Sequence, residues 1–229
     1  MALNKYGYNA IARHVTAGLL TGVLLFAGAG TTDWRAGWVL AIVYTAGWIV
    51  LSAVLARVNP GLLNERGNRT KGGSKRWDII LLAIYAVIQL VQPFVAGLDH
   101  RYGWSGKAGA VVYVAGYAAI VSGFALLTWS MAANRFFEGT VRLQTDRGQT
   151  VETGGQYEFV RHPGYTAVIL LLIGVALAAG SWAALLVGLI GIVTFIVRTK
   201  WEDDALQTEL PGYATFTQQT RYRLVPGVW

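Results

Sequence analysis

The sequence predicts an all-α membrane protein with about six transmembrane helices, the last two forming a short helical hairpin flanked by polar cytoplasmic segments. Three observations predict it. Hydrophobic residues make up 54% of the 229 positions and charged residues only 14%, whereas soluble domains carry about 25% charged residues. The charges are segregated, leaving charge-free runs over Val15–Gly30, Ala36–Ala56, Ile79–Leu98, Ala108–Ala133 and Gly164–Val197. Runs near 20 residues match a hydrocarbon core roughly 30 Å thick.

The first span follows Lys5 and Arg13. Its end, "FAGAG", loosely resembles a signal cleavage site, but the chain begins at Met1 and the span is expected to be retained. Within it, Gly18 and Gly22 have the small-xxx-small spacing that lets helices approach closely. The short turn "TTDWR" leads to the second span. A basic, glycine-rich segment over residues 57–77 comes next and reads as a topology-setting loop at the lipid headgroups, with a lid or substrate entrance as the alternative. The third span holds Gln89, Gln92 and Pro93. The two glutamines are three apart and share a face; buried in hydrocarbon they need partners, either on another helix or on a ligand. The fourth span closes an N-terminal part of four spans, residues 1–133. The last apolar run has 34 residues, about 51 Å as one helix, too long for one crossing. Gly180-Ser181 is a turn signal in its middle, so the run is split into helices over 164–179 and 182–197, a single broken or re-entrant hairpin being the alternative.

Lysine and arginine set orientation. Sixteen of the 19 fall in the N-terminal segment, the loops after the second and fourth spans, and the C-terminal tail; only Arg35, Arg101 and Lys107 face the other side. Both termini are therefore expected in the cytoplasm. Contact with anionic lipid accounts for the net charge of +7 without any nucleic acid. Trp34, Trp38, Trp77, Trp104, Trp129, Trp182 and Trp201 lie near span ends, as in an interfacial aromatic belt. The chain has no cysteine, which excludes disulfides, thiol nucleophiles and cysteine-ligated metals; no metal site is expected. No charge falls within any span, which argues against a transporter.

From Asn134 the character changes. About 30 polar residues, with aromatics at Phe136, Phe137, Tyr157 and Phe159, form a segment too aromatic for disorder, read as an ordered loop against the membrane. It ends in "VRHPGY". Pro163 suits the first turn of a helix, so the fifth span begins there with free backbone N–H groups, an end that favours an anion. Arg161 and His162 immediately precede it. After the hairpin comes "RTKWEDDAL", in which Arg198 and Glu202 are four apart on one helical face, either an ion pair or a site for a cation. The two polar segments flank one hairpin and so meet on one side.

Together these clusters resemble the isoprenylcysteine carboxyl methyltransferase and phospholipid methyltransferase superfamily. The matching residues are Gly155, Tyr157, Arg161, His162, Pro163 and Tyr165, then Arg198, Glu202 and Leu206 beyond the hairpin, then Tyr213 and Pro226. The resemblance covers Asn134–Trp229; the first hundred residues match only in being hydrophobic. Asp203 stands where the pattern has a second glutamate, Phe216 where it has a tyrosine, and Ala167 where it has a glycine. The resemblance implies a single membrane domain over 1–229, with residues 134–229 as the catalytic, cofactor-binding part and S-adenosylmethionine as the cofactor. It implies Arg198 and Glu202 as catalytic residues and Gly155, Tyr157, Arg161, His162, Pro163, Tyr165, Glu202 and Leu206 as cofactor-binding. The cofactor carboxylate would meet the helix start with His162 or Arg161, its ammonium Glu202, and its adenine Tyr157, Tyr165 and Leu206. The methyl acceptor would be a lipophilic molecule or lipid, a prenylcysteine-type carboxylate or a phospholipid amine, entering laterally past Gln89 and Gln92. A small thiol acceptor, and an NADPH-dependent membrane reductase of the sterol-reductase type, are the alternatives.

Overall fold

The computed structural model describes residues 2–68 and 72–229, and among them every regular element is helical. Arg69 and Lys71 of the basic loop lie outside the described residues. Helix α1 (Lys5–Ala29) starts where the Asn4 side chain accepts from the N–H groups of Tyr6 and Gly7, and stops at Gly30, whose φ of 66° is the left-handed cap glycine permits. Helix α2 (Arg35–Val58) returns to the first side, and α3 (Pro60–Gly67) turns there, capped by Asn59 with proline in its first turn. Helix α4 (Arg76–Tyr102) and α5 (Ala110–Ala133) make the next passage out and back. Helices α6 (Pro163–Ala178) and α7 (Trp182–Glu209) form the hairpin, and α8 (Tyr213–Gln219) lies in the tail.

Five helices are long and apolar enough to cross a membrane; α6, at 16 residues, is shorter. Its rise of about 24 Å falls short of the roughly 30 Å core, in keeping with a short hairpin helix. Helix α7 is longer than its expected bounds. It was expected to end at Val197, where charges begin, but runs to Glu209. Charge marks the edge of the apolar layer, not the end of a helix: no glycine or proline interrupts 198–209, and Pro211-Gly212 is the first breaker.

The helices close a ring. Helix α1 packs on α2 and α4, α2 on α5, α5 on α6, α6 on α7, and α7 on α4. The Gly18 and Gly22 spacing does bring α1 against α2: a Cβ on Gly18 would stand 2.8 Å from the Thr45 Cα. A tighter approach joins α1 to α4 at Gly28 and Gly97, where added Cβ atoms would come within 2.2 Å of the Phe94 carbonyl and 2.1 Å of the Leu25 carbonyl. That contact lies at the end of α1 and α4 remote from α3. Gly97→Val is expected to force these backbones apart and destabilise by about 1–3 kcal/mol, lowering Tm in detergent by roughly 3–10 °C; an unchanged Tm would show that the contact is not tight.

Gln92 is buried and donates to the carbonyls of Leu172 (2.8 Å) and Ala184 (3.2 Å), stitching α4 to the α6–α7 hairpin. It takes the helix–helix role. The spans also carry more charge at their ends than the charge-free runs implied. Asp78 and Asp99, in the first and last turns of α4, are both buried. Asp99 accepts from the Ser105 N–H at 2.8 Å and from the hydroxyls of Ser105 and Ser181, joining the α4–α5 turn to the α6–α7 turn. Chain direction places this cluster, with Arg35, Arg101 and Lys107, at the end opposite the polar segments. Both termini lie at the polar end. Asn4 donates to Asn64 of α3 at 3.0 Å, and the tail carbonyls of Tyr222 and Arg223 accept from the N–H groups of Arg161 and His162, each at 2.9 Å.

Candidate active site

At the polar end, the loop over residues 134–162, the start of α6, the exposed end of α7 and the tail surround a cavity of about 220 Å³. Its framework rests on one carboxylate. Asp203 has no exposed surface and accepts from Arg161 through Nε (2.8 Å) and Nη2 (2.9 Å), from Arg223 Nε (2.9 Å) and from the Tyr213 hydroxyl (2.9 Å). His162 Nε2 lies 3.3 Å from the same carboxylate. Arg161 also donates to the carbonyls of Thr220 (2.7 Å) and Arg221 (2.8 Å). A buried charge is tolerated only with such partners, and here the partners fasten the tail and the segment before α6 onto α7. Burial works against the Arg161 charge, but the Asp203 carboxylate outweighs it and raises the guanidinium pKa; burial first, then Asp203, pushes the Tyr213 phenol well above its ordinary value.

Tyr157, Arg161, His162, Pro163, Tyr165, Arg198, Glu202 and Leu206 all line the cavity, so the fold assembles eight of the nine residues singled out in the sequence. Gly155 is not among the lining residues. It opens the one-turn 3-10 helix Gly155–Glu158 with φ of 62°, backed by the Trp129 ring. Arg161 lines the cavity with its donors already engaged by Asp203 and the tail. Asp203, Phe216 and Ala167, the three departures from the family pattern, are all buried: Asp203 is the ion-pair hub, and Phe216 packs with Tyr157, Leu210 and Tyr213. Phe216 also lines the cavity.

The Arg198–Glu202 pair expected from helical spacing gives way to other partners. Arg198 Nε donates to Asp78 at 2.6 Å, another of its nitrogens to the Gly139 carbonyl at 3.0 Å, and its guanidinium sits 4.8 Å from the Tyr165 ring centre. The second oxygen of Asp78 accepts from the Val141 N–H at 2.7 Å. Helix α4 crosses α7 here, which no spacing within one helix reveals. Glu202 instead accepts from the Tyr165 hydroxyl. His162 stacks on Tyr165, centroids 5.5 Å apart. Asp78 was missed in the sequence, though an acid at the head of an apolar run, between basic residues and "IILLA", is the signal that marks it.

The cavity changes character with depth. The carboxylate of Glu202, His162 and Arg198 mark its polar part, while Trp48, Leu82, Tyr85, Leu127, Val168 and Phe195 form an apolar part contributed by five spanning or near-spanning helices. Phe195 meets Tyr85 and Tyr165 edge to face, at 4.8 and 5.2 Å. Such a place can hold a polar ligand by one end and an apolar ligand by the other.

Residues 111–210 match the family model described as phospholipid methyltransferase. That segment, 100 of the 229 residues, is what the chain has in common with the phospholipid methyltransferase family. No curated protein matches the chain. The match takes in α5, the 134–162 loop, α6 and α7, hence every cavity residue singled out above from Tyr157 to Leu206. The cavity and its supports nevertheless draw on residues outside the matched segment: Asp78 comes from α4, Arg66 from α3, and Tyr213 and Arg223 from the tail.

Proposed function

We propose that the protein is an integral membrane methyltransferase, one membrane domain with both termini cytoplasmic, that uses S-adenosylmethionine to methylate a lipophilic acceptor. The observation that carries this reading is the single cavity in which Glu202, His162 and the α6 N-terminus face an aromatic and apolar part made by the spans. The donor set suits the cofactor. Glu202 offers a carboxylate to an ammonium, and the first turn of α6 offers backbone N–H groups to a carboxylate. The rings of Tyr157 and Tyr165 offer flat apolar faces. Aromatic faces also favour a cationic sulfonium, and Tyr85, Tyr165 and Phe195 supply them beside the apolar part.

When bound, the cofactor supplies an electrophilic methyl group whose bond to sulfur breaks, its electrons leaving with the sulfur, as the acceptor's lone pair forms the new bond. The chain's residues contribute position and dryness. Asp203 holds His162 and the tail against α7; Asp78 holds Arg198 against Tyr165; Tyr165 donates to Glu202 and fixes its orientation. A carboxylate acceptor needs no base. An amine acceptor must arrive neutral, and Glu202 is a carboxylate lining the cavity that could accept its proton.

Calorimetric titration of the detergent-solubilised protein with S-adenosylhomocysteine is expected to give micromolar affinity or better. Binding of NADPH with no response to S-adenosylhomocysteine would overturn the methyltransferase reading. Turnover of small water-soluble thiols equal to that of long-chain acceptors would overturn the lipophilic acceptor.

A further inference from the structure

A second cavity, about 570 Å³, lies between α1, α3 and α4 and is walled by Ala10, Arg13 and His14 of α1, Arg66 of α3 and Ile79 and Leu82 of α4, with Glu138–Thr140 closing it. It exists because α1 and α4 touch most closely at Gly28 and Gly97, at the remote end, and part toward the end where α3 is inserted. Arg66, Leu82, Glu138, Gly139 and Thr140 line both cavities, so these residues form the boundary between them.

Arg66 is the notable group on that boundary. It donates to the Phe137 carbonyl at 3.0 Å, and its guanidinium lies 5.8 Å from the Phe137 ring centre. Among the described residues no carboxylate lies within ion-pair distance of it. Burial, and then the Arg198 guanidinium, lower its pKa to about 10, against the opposite pull of Glu138, the direction that burial gives a cation. The Phe137 ring that it faces packs on Gly164 in the first turn of α6, and Arg66 and Glu202 line the same cavity. A guanidinium with donors to spare is built to take an oxyanion in bidentate fashion.

We propose that the cavity between α1, α3 and α4 receives the polar head of the acceptor, and that Arg66 binds an oxyanion of that acceptor, a phosphate or a carboxylate, close to the atom that takes the methyl group. The proposal rests on the methyltransferase reading and adds to it a binding residue outside the family-matched segment. Apolar Ala10, Ile79 and Leu82 continue the cavity toward the spans, as an amphiphile with a chain below its oxyanion requires. Two acceptors share this chemistry, a diacyl phospholipid with a phosphate beside an amine and a prenylated cysteine with a free carboxylate.

The test compares wild type, Arg66→Gln, Arg66→Lys and Leu82→Trp, the last enlarging a side chain on the same boundary without touching charge. S-adenosylhomocysteine affinity is measured first; its absence in wild type would sink the methyltransferase reading itself. Methyl transfer is then followed in nanodiscs containing phosphatidylethanolamine and, separately, with farnesylcysteine. The accepted arm identifies the source of the oxyanion. Arg66→Gln is expected to raise the acceptor KM about 10- to 100-fold while S-adenosylhomocysteine affinity stays within about twofold, with partial recovery in Arg66→Lys and a raised KM in Leu82→Trp. An unchanged acceptor KM in Arg66→Gln, or a loss of S-adenosylhomocysteine affinity as large as the KM effect, would overturn the proposal, the second outcome assigning Arg66 to the cofactor.

Discussion

Asp203→Ala is expected to destabilise the protein by about 3–5 kcal/mol, the range for removing one partner from a buried ion pair. The substitution would leave the Arg161 and Arg223 guanidiniums and the Tyr213 hydroxyl without the acceptor they share. Proteins of this size have only about 5–15 kcal/mol of stability in total, so the loss should be visible as a large fall in Tm in detergent. It should also release the tail, because Arg161 is the link between Asp203 and the carbonyls of Thr220 and Arg221. Limited proteolysis near residue 220 would report that release directly. Asp203→Asn, which keeps the shape and one acceptor oxygen, should fall between. A Tm for Asp203→Ala equal to that of wild type would show that the hub is not a source of stability.

Glu202→Ala is expected to act on binding rather than folding. Glu202 is half-buried and its one hydrogen bond is received from Tyr165. Losing a charge-assisted contact to a ligand ammonium costs about 1.5–3 kcal/mol, roughly 10- to 150-fold in S-adenosylhomocysteine affinity, with little change in Tm. His162→Ala should weaken binding as well. His100→Ala supplies the control, since His100 stacks on Trp34 at the remote end, centroids 4.3 Å apart. Equal affinity in all three variants would mean that the ligand is held elsewhere.

The spans could be read from composition because hydrocarbon imposes a length and forbids charge, and both constraints act on runs of sequence. Helix ends were harder. Lys5–Asp33 contains α1 with its polar first turns, and α7 carries its charges three turns past Val197, because a helix leaving the bilayer pays nothing for remaining helical. The site residues on α6 and α7 were legible since they sit close in sequence on either side of one hairpin. The partners of those residues were not. Arg198 faces Asp78 across 120 positions, and Arg66 reaches the Phe137 carbonyl across 71. Such pairings follow from which helices cross, and helix crossing is written in small-residue contacts such as Gly28 on Gly97, whose partner no single helix names. Gln92 shows the same limit: its need for partners was evident from its place in a span, but the choice between helix and ligand depended on the hairpin packed behind it.

The shortness of α6 has a consequence for where the reaction occurs. Ser181 ties the far end of the hairpin to Asp99 in the last turn of α4, so α6 starts level with its neighbours on that side. Rising only about 24 Å from there, it stops roughly 6 Å below the opposite face of a 30 Å core. In a 30 Å core so placed, His162 and Tyr165 would lie below the headgroups, in the cavity that the 134–162 loop and the tail also line. A diffusing bilayer component can reach that depth without being hoisted toward water, a lift that would cost about 0.8 kcal/mol for every methylene exposed. On the proposed reaction it is the water-soluble reactant that would make the descent instead.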